Sequence, residues 1–195
     1  MRTQAIFTDD AADVSGRAVF SECGKYRYTL ERSWSALPRY ALWIMLNPST
    51  ADAATNDATI RRCIGYARAW GYTGILVGNL YAWRSTSPRG LLFAAAAGSD
   101  PIGPENDRYL RGLVRRASLV MCAWGQSGPT TLAKNAALQA IRPRKYGGDT
   151  GHDPYVLKLN ANGEPAHPLR LSAKLEPAHW PIWDGLARTG NGHGG

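Results

Sequence analysis

Short apolar runs alternate with segments of helical periodicity over most of the chain. Four such runs, bounded by turn residues or charges, predict buried strands at residues 41–46, 73–80, 118–124 and 155–160. The first run, ALWIML, stops at Asn47 and Pro48, a dipeptide typical of turns. An earlier pair of β-prone runs at residues 17–34, joined around residues 23–25, predicts a hairpin.

Between these runs the apolar positions recur every three to four residues, which predicts helices at residues 56–71, 104–117 and 129–141. Asp57 is placed to cap the first helix and Gly71 to end it. The third helix is predicted to open at Pro129, a favoured first-turn residue. The predicted apolar faces are Ile60, Cys63, Ile64, Ala67 and Trp70 in the first helix, and Tyr109, Leu110, Leu113 and Val114 in the second.

Strands that alternate with helices in this way are typical of right-handed βαβ units. We therefore expect an α/β fold of three layers, α/β/α, around a mostly parallel four-stranded central sheet, with the N-terminal β-hairpin added. The length of 195 residues suits one domain, which we place at residues 1–187. The Gly-rich residues 188–195 predict a disordered tail.

The charge of the chain adds a hypothesis about its partner. Lys and Arg number 23 against 15 Asp and Glu, a net charge of +8. Such an excess favours a polyanionic partner, such as nucleic acid or a nucleotide, through neutralisation of phosphates. A basic protein without a polyanionic partner fits the charge equally well.

Other classes of partner lack a signal in the sequence. The three cysteines are widely separated and form no CxxC pair, and no GxGxxG pattern is present, so we expect no metal site and no cofactor. No apolar run reaches the roughly 18 residues of a membrane span, so we expect no membrane partner. The simplest interpretation is a cytoplasmic protein in a reducing compartment.

Polar and aromatic residues follow each predicted strand of the parallel sheet, where ligands of open α/β sheets bind. Taken singly, each has an ordinary structural explanation: a turn former, a packing ring, or, for Asp52 and Asp57, a helix cap or surface charge. Their joint position favours a site for a planar, hydrogen-bonding ligand such as a nucleobase, with Arg84 and Arg89 near a phosphate. These strand-end residues are Asn47, Pro48, Ser49, Asn79, Trp83, Arg84, Trp124, Gly125 and His167.

Motifs in the same segments carry two resemblances. LNPSTADAATNDATIRRC, GNLYAWRSTSP and DPIGPEND, with the later AWG and HPL, resemble a family of bacterial and phage proteins known as a domain of unknown function, over about residues 26–171. The order of the motifs is also similar to that of the uracil-DNA glycosylase superfamily, particularly its mismatch-specific and single-strand-selective branches.

The second resemblance implies roles for individual residues. Asn47, within MLNPS, would position or activate the attacking water, and Asn79, within GNL, would pair with the edge of a flipped base. His167, within AHPL, would stabilise the negative charge on the departing base, and Trp124-Gly125 would correspond to the third strand-end element. Asp52 and Asp57 are candidate polar support for this site.

The sequence also departs from that superfamily. Ser49 stands where a Gly is usual and Leu169 where a Ser is usual, and residues 49–53 hold no aromatic side chain to stack on a base, for which Trp83 or Trp124 is the candidate replacement. The leading hypothesis is an N-glycosidic hydrolase of the DNA-glycosylase type, acting on a modified or mismatched base. A non-catalytic module that binds nucleotides or DNA, and an enzyme acting on free nucleosides or nucleotides, stay open as alternatives.

Overall fold

The computed structural model describes residues 2–8, 14–49, 56–87, 89–126, 130–148 and 150–184. Two single-turn 3-10 helices lie at Arg144–Tyr146 and Pro168–Arg170. The strands are β1 (Arg2–Thr8), β2 (Ser15–Phe20), β3 (Arg27–Ser33), β4 (Tyr40–Met45), β5 (Gly74–Asn79), β6 (Ala117–Cys122), β7 (Pro154–Val156) and β8 (Ala178–His179). The helices are α1 (Ala58–Ala69), α2 (Arg89–Ala96), α3 (Asn106–Arg116) and α4 (Thr131–Ile141).

The α/β class is confirmed, but the predicted extent of the sheet is wrong. The four predicted strands become β4, β5, β6 and β7, which pair in parallel in the order β5-β4-β6-β7. They form the middle of an eight-stranded mixed sheet ordered β1-β2-β3-β5-β4-β6-β7-β8. The predicted hairpin is β2 and β3, and β3 pairs antiparallel with β5, so that the hairpin continues the sheet and covers an otherwise open edge of β5.

Two core clusters lie on the two faces of the sheet. Alternate residues of β4 enter different clusters: Trp43 packs in the cluster that includes α1, and Ile44 packs in the cluster that includes α3 and α4. Both faces of the parallel strands are therefore covered by helices, which explains why every residue of β4 and β5 is buried and why their apolar residues do not alternate with polar ones.

Helix α1 begins as the sequence predicts. The backbone N–H of Ile60 donates to Oδ1 of Asp57 at 2.8 Å, which makes Asp57 the N-cap. Gly71 takes a left-handed φ of +76°, the conformation that ends many helices. The apolar face differs in detail, because Tyr66 is buried with Ile60, Cys63 and Ala67.

Helix α4 begins at Thr131 rather than at Pro129. The hydroxyl of Thr130 accepts from the N–H of Ala133 at 3.3 Å and caps the helix, while Pro129 lies outside the described residues, as do residues 188–195 of the predicted tail. In the part of the chain that is described, no helix combines the length and the apolar character needed to cross a bilayer.

Candidate functional site

A cavity of about 290 Å³ opens at the carboxyl ends of the parallel strands. Its walls come from the turn after β4, the first turn of α1, the segments after β5 and β6, and the loop that precedes the 3-10 helix at 168–170. Of the predicted site residues, the lining includes Asn47, Ser49, Asp57, Trp124, Gly125 and His167. This is the place where a ligand is expected in an open α/β sheet.

The Asn47 side chain is held in one orientation by two backbone carbonyls. Its Nδ2 donates to the carbonyl of Ser85 at 2.8 Å and to that of Pro48 at 3.1 Å. The N–H of Ser85 in turn donates to the Pro48 carbonyl at 2.9 Å, so the turn after β4 is tied to the segment after β5. With both amide hydrogens engaged, Oδ1 of Asn47 is the atom left to accept from a ligand or a water.

Ser49 and Asp57 join the same turn to helix α1. The hydroxyl of Ser49 donates to Oδ2 of Asp57 at 3.1 Å, while Oδ1 of Asp57 caps the helix. Both oxygens of this carboxylate are therefore engaged within the protein. The negative charge of Asp57 nevertheless acts on its surroundings. Burial lowers the pKa values of Arg27 and His167, and the charge of Asp57 opposes both shifts.

Gly125 places β6 against the His167 loop. Its φ of +84° is left-handed, and a Cβ added there would lie 3.3 Å from Cβ of His167. The N–H of Gly125 donates to the carbonyl of Pro165 at 2.9 Å, which fixes the loop two residues before His167. Glycine is required here both for the backbone conformation and for the close approach.

His167 stands at the exposed mouth of the cavity with a defined tautomer. Its Nδ1 accepts from the N–H of Leu169 at 3.4 Å, so the proton of the neutral ring resides on Nε2. Desolvation lowers the pKa of His167, and the charge of Asp57 opposes that shift. The neutral ring can thus donate from Nε2 to an oxygen of a ligand.

Trp124 reaches the cavity, but its indole is 1% exposed. Nε1 donates to Oε2 of Glu164 at 2.7 Å, and the ring packs edge-on against Trp180, with centroids 5.5 Å apart. These contacts make Trp124 part of the core beneath the site and leave little of its ring for stacking on a ligand.

Five predicted site residues, Pro48, Asn79, Trp83, Arg84 and Arg89, do not line the cavity. Pro48 and Asn79 are buried, and the amide nitrogen and oxygen of Asn79 have no hydrogen-bond partner among the described residues. The ring of Trp83 packs against Tyr26, with centroids 5.3 Å apart, and the Arg84 guanidinium donates to the Gly24 carbonyl at 3.0 Å and lies over Phe20. The remaining candidate, Asp52, lies outside the described residues.

Arg27 lines the cavity although it is 5% exposed, and no sequence motif predicts it there. The direction of its side chain depends on an irregularity in β3 that the local sequence pattern does not indicate. No group of three or more His, Cys, Asp or Glu residues in the described ranges is arranged to hold a metal ion.

Comparison with known proteins identifies a family. Residues 27–169 match a family described as "Protein of unknown function (DUF1643)", so the chain belongs to that family. The matched range agrees closely with residues 26–171, over which the sequence motifs indicate a domain of unknown function. No curated protein and no solved structure matches the chain significantly.

Proposed function

We propose that this member of the DUF1643 family is a nucleic-acid base-processing protein, an N-glycosidic hydrolase that acts on a modified or mismatched base. The proposal includes a fold of the uracil-DNA glycosylase type. The observation that carries it is the position of Asn47 and His167, which come from distant parts of the chain and line one small cavity at the strand ends. The cavity volume of about 290 Å³ is near the lower limit of ligand pockets, about 300 Å³, which suits a single small planar ligand.

The reaction requires two kinds of stabilisation. A water oxygen forms a bond to the anomeric carbon of the sugar, the C–N glycosidic bond breaks, and its electron pair leaves with the base. The water proton passes to the base or to solvent. Negative charge therefore develops on the base oxygen or nitrogen, while the sugar carbon becomes positive and must meet a positioned water.

The two side chains suit these two tasks. The fixed Oδ1 of Asn47 can accept a hydrogen bond from the attacking water and orient it. Nε2–H of His167 can donate to the departing base, an oxyanion-type interaction commonly worth about 3 kcal/mol. Because desolvation lowers the pKa of His167, the neutral donor form is favoured near neutral pH.

The second candidate is a non-catalytic module that binds a base. The hydrogen bonds of Asp57 support it, because both oxygens of this carboxylate are already engaged within the protein. Asp57 is the carboxylate found among the described lining residues, and both of its oxygens already accept hydrogen bonds from Ile60 and Ser49. An amide such as that of Asn47 is a poor general base. In this alternative the cavity binds a base without breaking the glycosidic bond.

The test is base release from defined oligonucleotides. Purified protein is incubated with single- and double-stranded substrates that contain uracil, mismatches or hypermodified bases, and abasic sites are revealed by alkaline cleavage. We expect release from at least one substrate, and a loss of about 100-fold or more in Asn47→Ala and His167→Ala, consistent with removal of a positioned donor or water contact.

His179→Ala is the matched control for the histidine, because His179 lies in β8, outside the cavity lining. It should release base at the wild-type rate. Equal activity of His167→Ala and wild type would contradict the assigned role. Saturable binding of oligonucleotide with no release from any substrate would favour the binding module.

A further inference from the structure

Arg27 is a buried cation that forms no ion pair with any described residue. Its side chain lines the cavity and is 5% exposed, and its Nε has no hydrogen-bond partner within the described ranges. None of the salt bridges between described residues includes it. A buried charge is strongly unfavourable unless it is paired, so Arg27 calls for an anion that the described part of the chain does not supply.

Arg32, on the same strand, shows what a satisfied buried arginine looks like in this protein. Arg32 is fully buried, and its Nε donates to Oδ1 of Asn56 at 2.8 Å while Nη1 donates to the Glu31 carbonyl at 2.9 Å. Of these two buried guanidinium groups of β3, that of Arg32 is hydrogen-bonded by Asn56 and Glu31, whereas that of Arg27 faces the cavity.

A β-bulge directs Arg27 toward the cavity. Val19 pairs with Thr29 but Phe20 pairs with Arg27, so Tyr28 is an extra residue in β3. Tyr28 turns to stack on Tyr109 of α3, with ring centroids 4.8 Å apart. Arg27 is thereby brought to the opposite face, on the side of α1, where the cavity lies.

Asp57 is not the anion that pairs with Arg27. Its charge raises the pKa of Arg27, against the larger effect of burial, which lowers that pKa to about 10. However, both Asp57 oxygens are already bonded to Ile60 and Ser49, and the two residues form no salt bridge. With a pKa of about 10, the guanidinium stays protonated at neutral pH and keeps its capacity to bind an anion.

We infer that Arg27 binds an oxyanion group of the ligand itself, a phosphate or a carboxylate that enters the cavity, rather than the nucleic-acid backbone outside it. This deepens the proposed function, on whose nucleobase-type ligand it rests, but it does not require hydrolysis. The oxyanion has two possible sources: the 5′-phosphate of a free nucleotide, or an acidic substituent on a modified base. A neutral base such as uracil would leave the guanidinium unpaired.

Paired ligands test the inference and distinguish the sources. Isothermal titration compares deoxyuridine 5′-monophosphate with deoxyuridine, and 5-carboxydeoxycytidine with deoxycytidine, with inorganic phosphate as a minimal probe. In the wild type we expect one acidic ligand to bind about 10- to 100-fold more tightly than its neutral parent, as for a hydrogen-bonded charge pair. If the nucleotide pair shows the preference, the source of the oxyanion is the 5′-phosphate. If the modified-base pair shows it, the source is the acidic substituent on the base.

Arg27→Gln should abolish that preference, measured as the ratio of the affinities for the acidic ligand and its neutral parent. Arg27→Lys keeps the charge and should retain part of the preference. Removal of an unpaired buried charge should not lower the melting temperature of the ligand-free protein, which serves as the folding control. An equal preference in wild type and Arg27→Gln would overturn the inference, as would a wild type that binds none of the acidic ligands.

A readout on the wild type avoids dependence on a variant's folding. The Nε–Hε resonance of Arg27, assigned by its absence in Arg27→Lys, should shift when the preferred acidic ligand is added, and a resonance that stays unchanged would contradict the inference. Preference for an acidic ligand without base release would overturn hydrolysis alone. Base release with no such preference would overturn the role of Arg27 alone.

Discussion

Gly125 is the residue at which one added methyl group tests the geometry of the site. In Gly125→Ala the left-handed φ of +84° becomes strained, at about 1–2 kcal/mol, and the new Cβ lies 3.3 Å from Cβ of His167. We expect a lower free energy of unfolding by urea denaturation, together with a displaced His167 ring, seen as a changed imidazole chemical shift and weaker ligand binding.

Gly71→Ala is the control for this substitution. Gly71 has a similar φ of +76° but nothing within 4 Å of an added Cβ, and it lies at the end of α1 away from the cavity. It should lose similar stability and leave the His167 resonances and ligand binding unchanged. Equal effects of both substitutions on binding would mean that the contact between Gly125 and His167 does not organise the site.

The charge of Asp57 should be visible in the titration of His167. Burial lowers the pKa of His167 below its ordinary value of 6.5, and Asp57 opposes this effect. In Asp57→Asn, which keeps a capping side chain, the opposing charge is gone, so the pKa measured by NMR should fall further. A pKa that rises or stays unchanged in Asp57→Asn would show that the two groups do not interact.

The lowered pKa of His167 also makes the free energy of unfolding depend on pH. Because the folded protein binds this proton more weakly than the unfolded chain, the free energy of unfolding should fall as the pH drops from 6.5 through the lowered pKa. At pH values above 6.5 the effect vanishes. His167→Gln should flatten that part of the curve of stability against pH, measured by urea denaturation at a series of pH values.

At the scale of elements, the N-cap of α1 connects stability with the site. Asp57→Ala removes the bond to the Ile60 N–H and should cost about 1 kcal/mol, and it also releases the Ser49 hydroxyl. Thr130→Ala removes the cap of α4 and should cost a similar amount. We expect only Asp57→Ala to weaken ligand binding, measured by titration on both variants. Equal binding by both would restrict Asp57 to a structural role.

Elements with a strong periodic pattern are the ones that the sequence predicts well. Strands β4 and β5 are buried throughout and mainly apolar, and α1 and α3 carry one apolar face, so hydrophobic burial alone determines them. Helix α2 was missed because it opens on Arg89 and Gly90 and exposes Leu92 and Phe93, which gives it little one-sided pattern. Strand β8 has two residues and follows from pairing with β7 rather than from its own sequence.

The sequence predicts those residues of the site that follow the ends of the parallel strands. Asn47, Gly125 and His167 follow β4, β6 and β7 in the chain, and the rule that parallel strands share one ligand-binding edge is enough to bring them together. Arg27 depends on a bulge, and the burial of Asn79 and Trp124 depends on how tertiary packing fills each face. Neither a bulge nor the depth of a side chain follows from the local pattern.

For the whole molecule, the net charge of +8 matters to function only where it faces the ligand. Arg170 lies in the 3-10 helix that follows His167. It lines a shallow pocket next to the cavity, and the two share Gly125 and His167 in their lining. Arg115 lies in the last turn of α3, just before β6 begins, and therefore at the opposite end of the parallel strands. Each substitution by Gln removes one positive charge, but at opposite ends of the sheet.

If a nucleic acid crosses the cavity, Arg170→Gln should weaken oligonucleotide binding and lower the slope of log K against log salt by about one phosphate contact. Arg115→Gln should leave both the affinity and the slope at their wild-type values. Fluorescence anisotropy over a series of salt concentrations measures both quantities. Equal losses in the two variants would mean that the basic charge acts over the whole surface, and that the strand-end cavity does not determine where the polyanion binds.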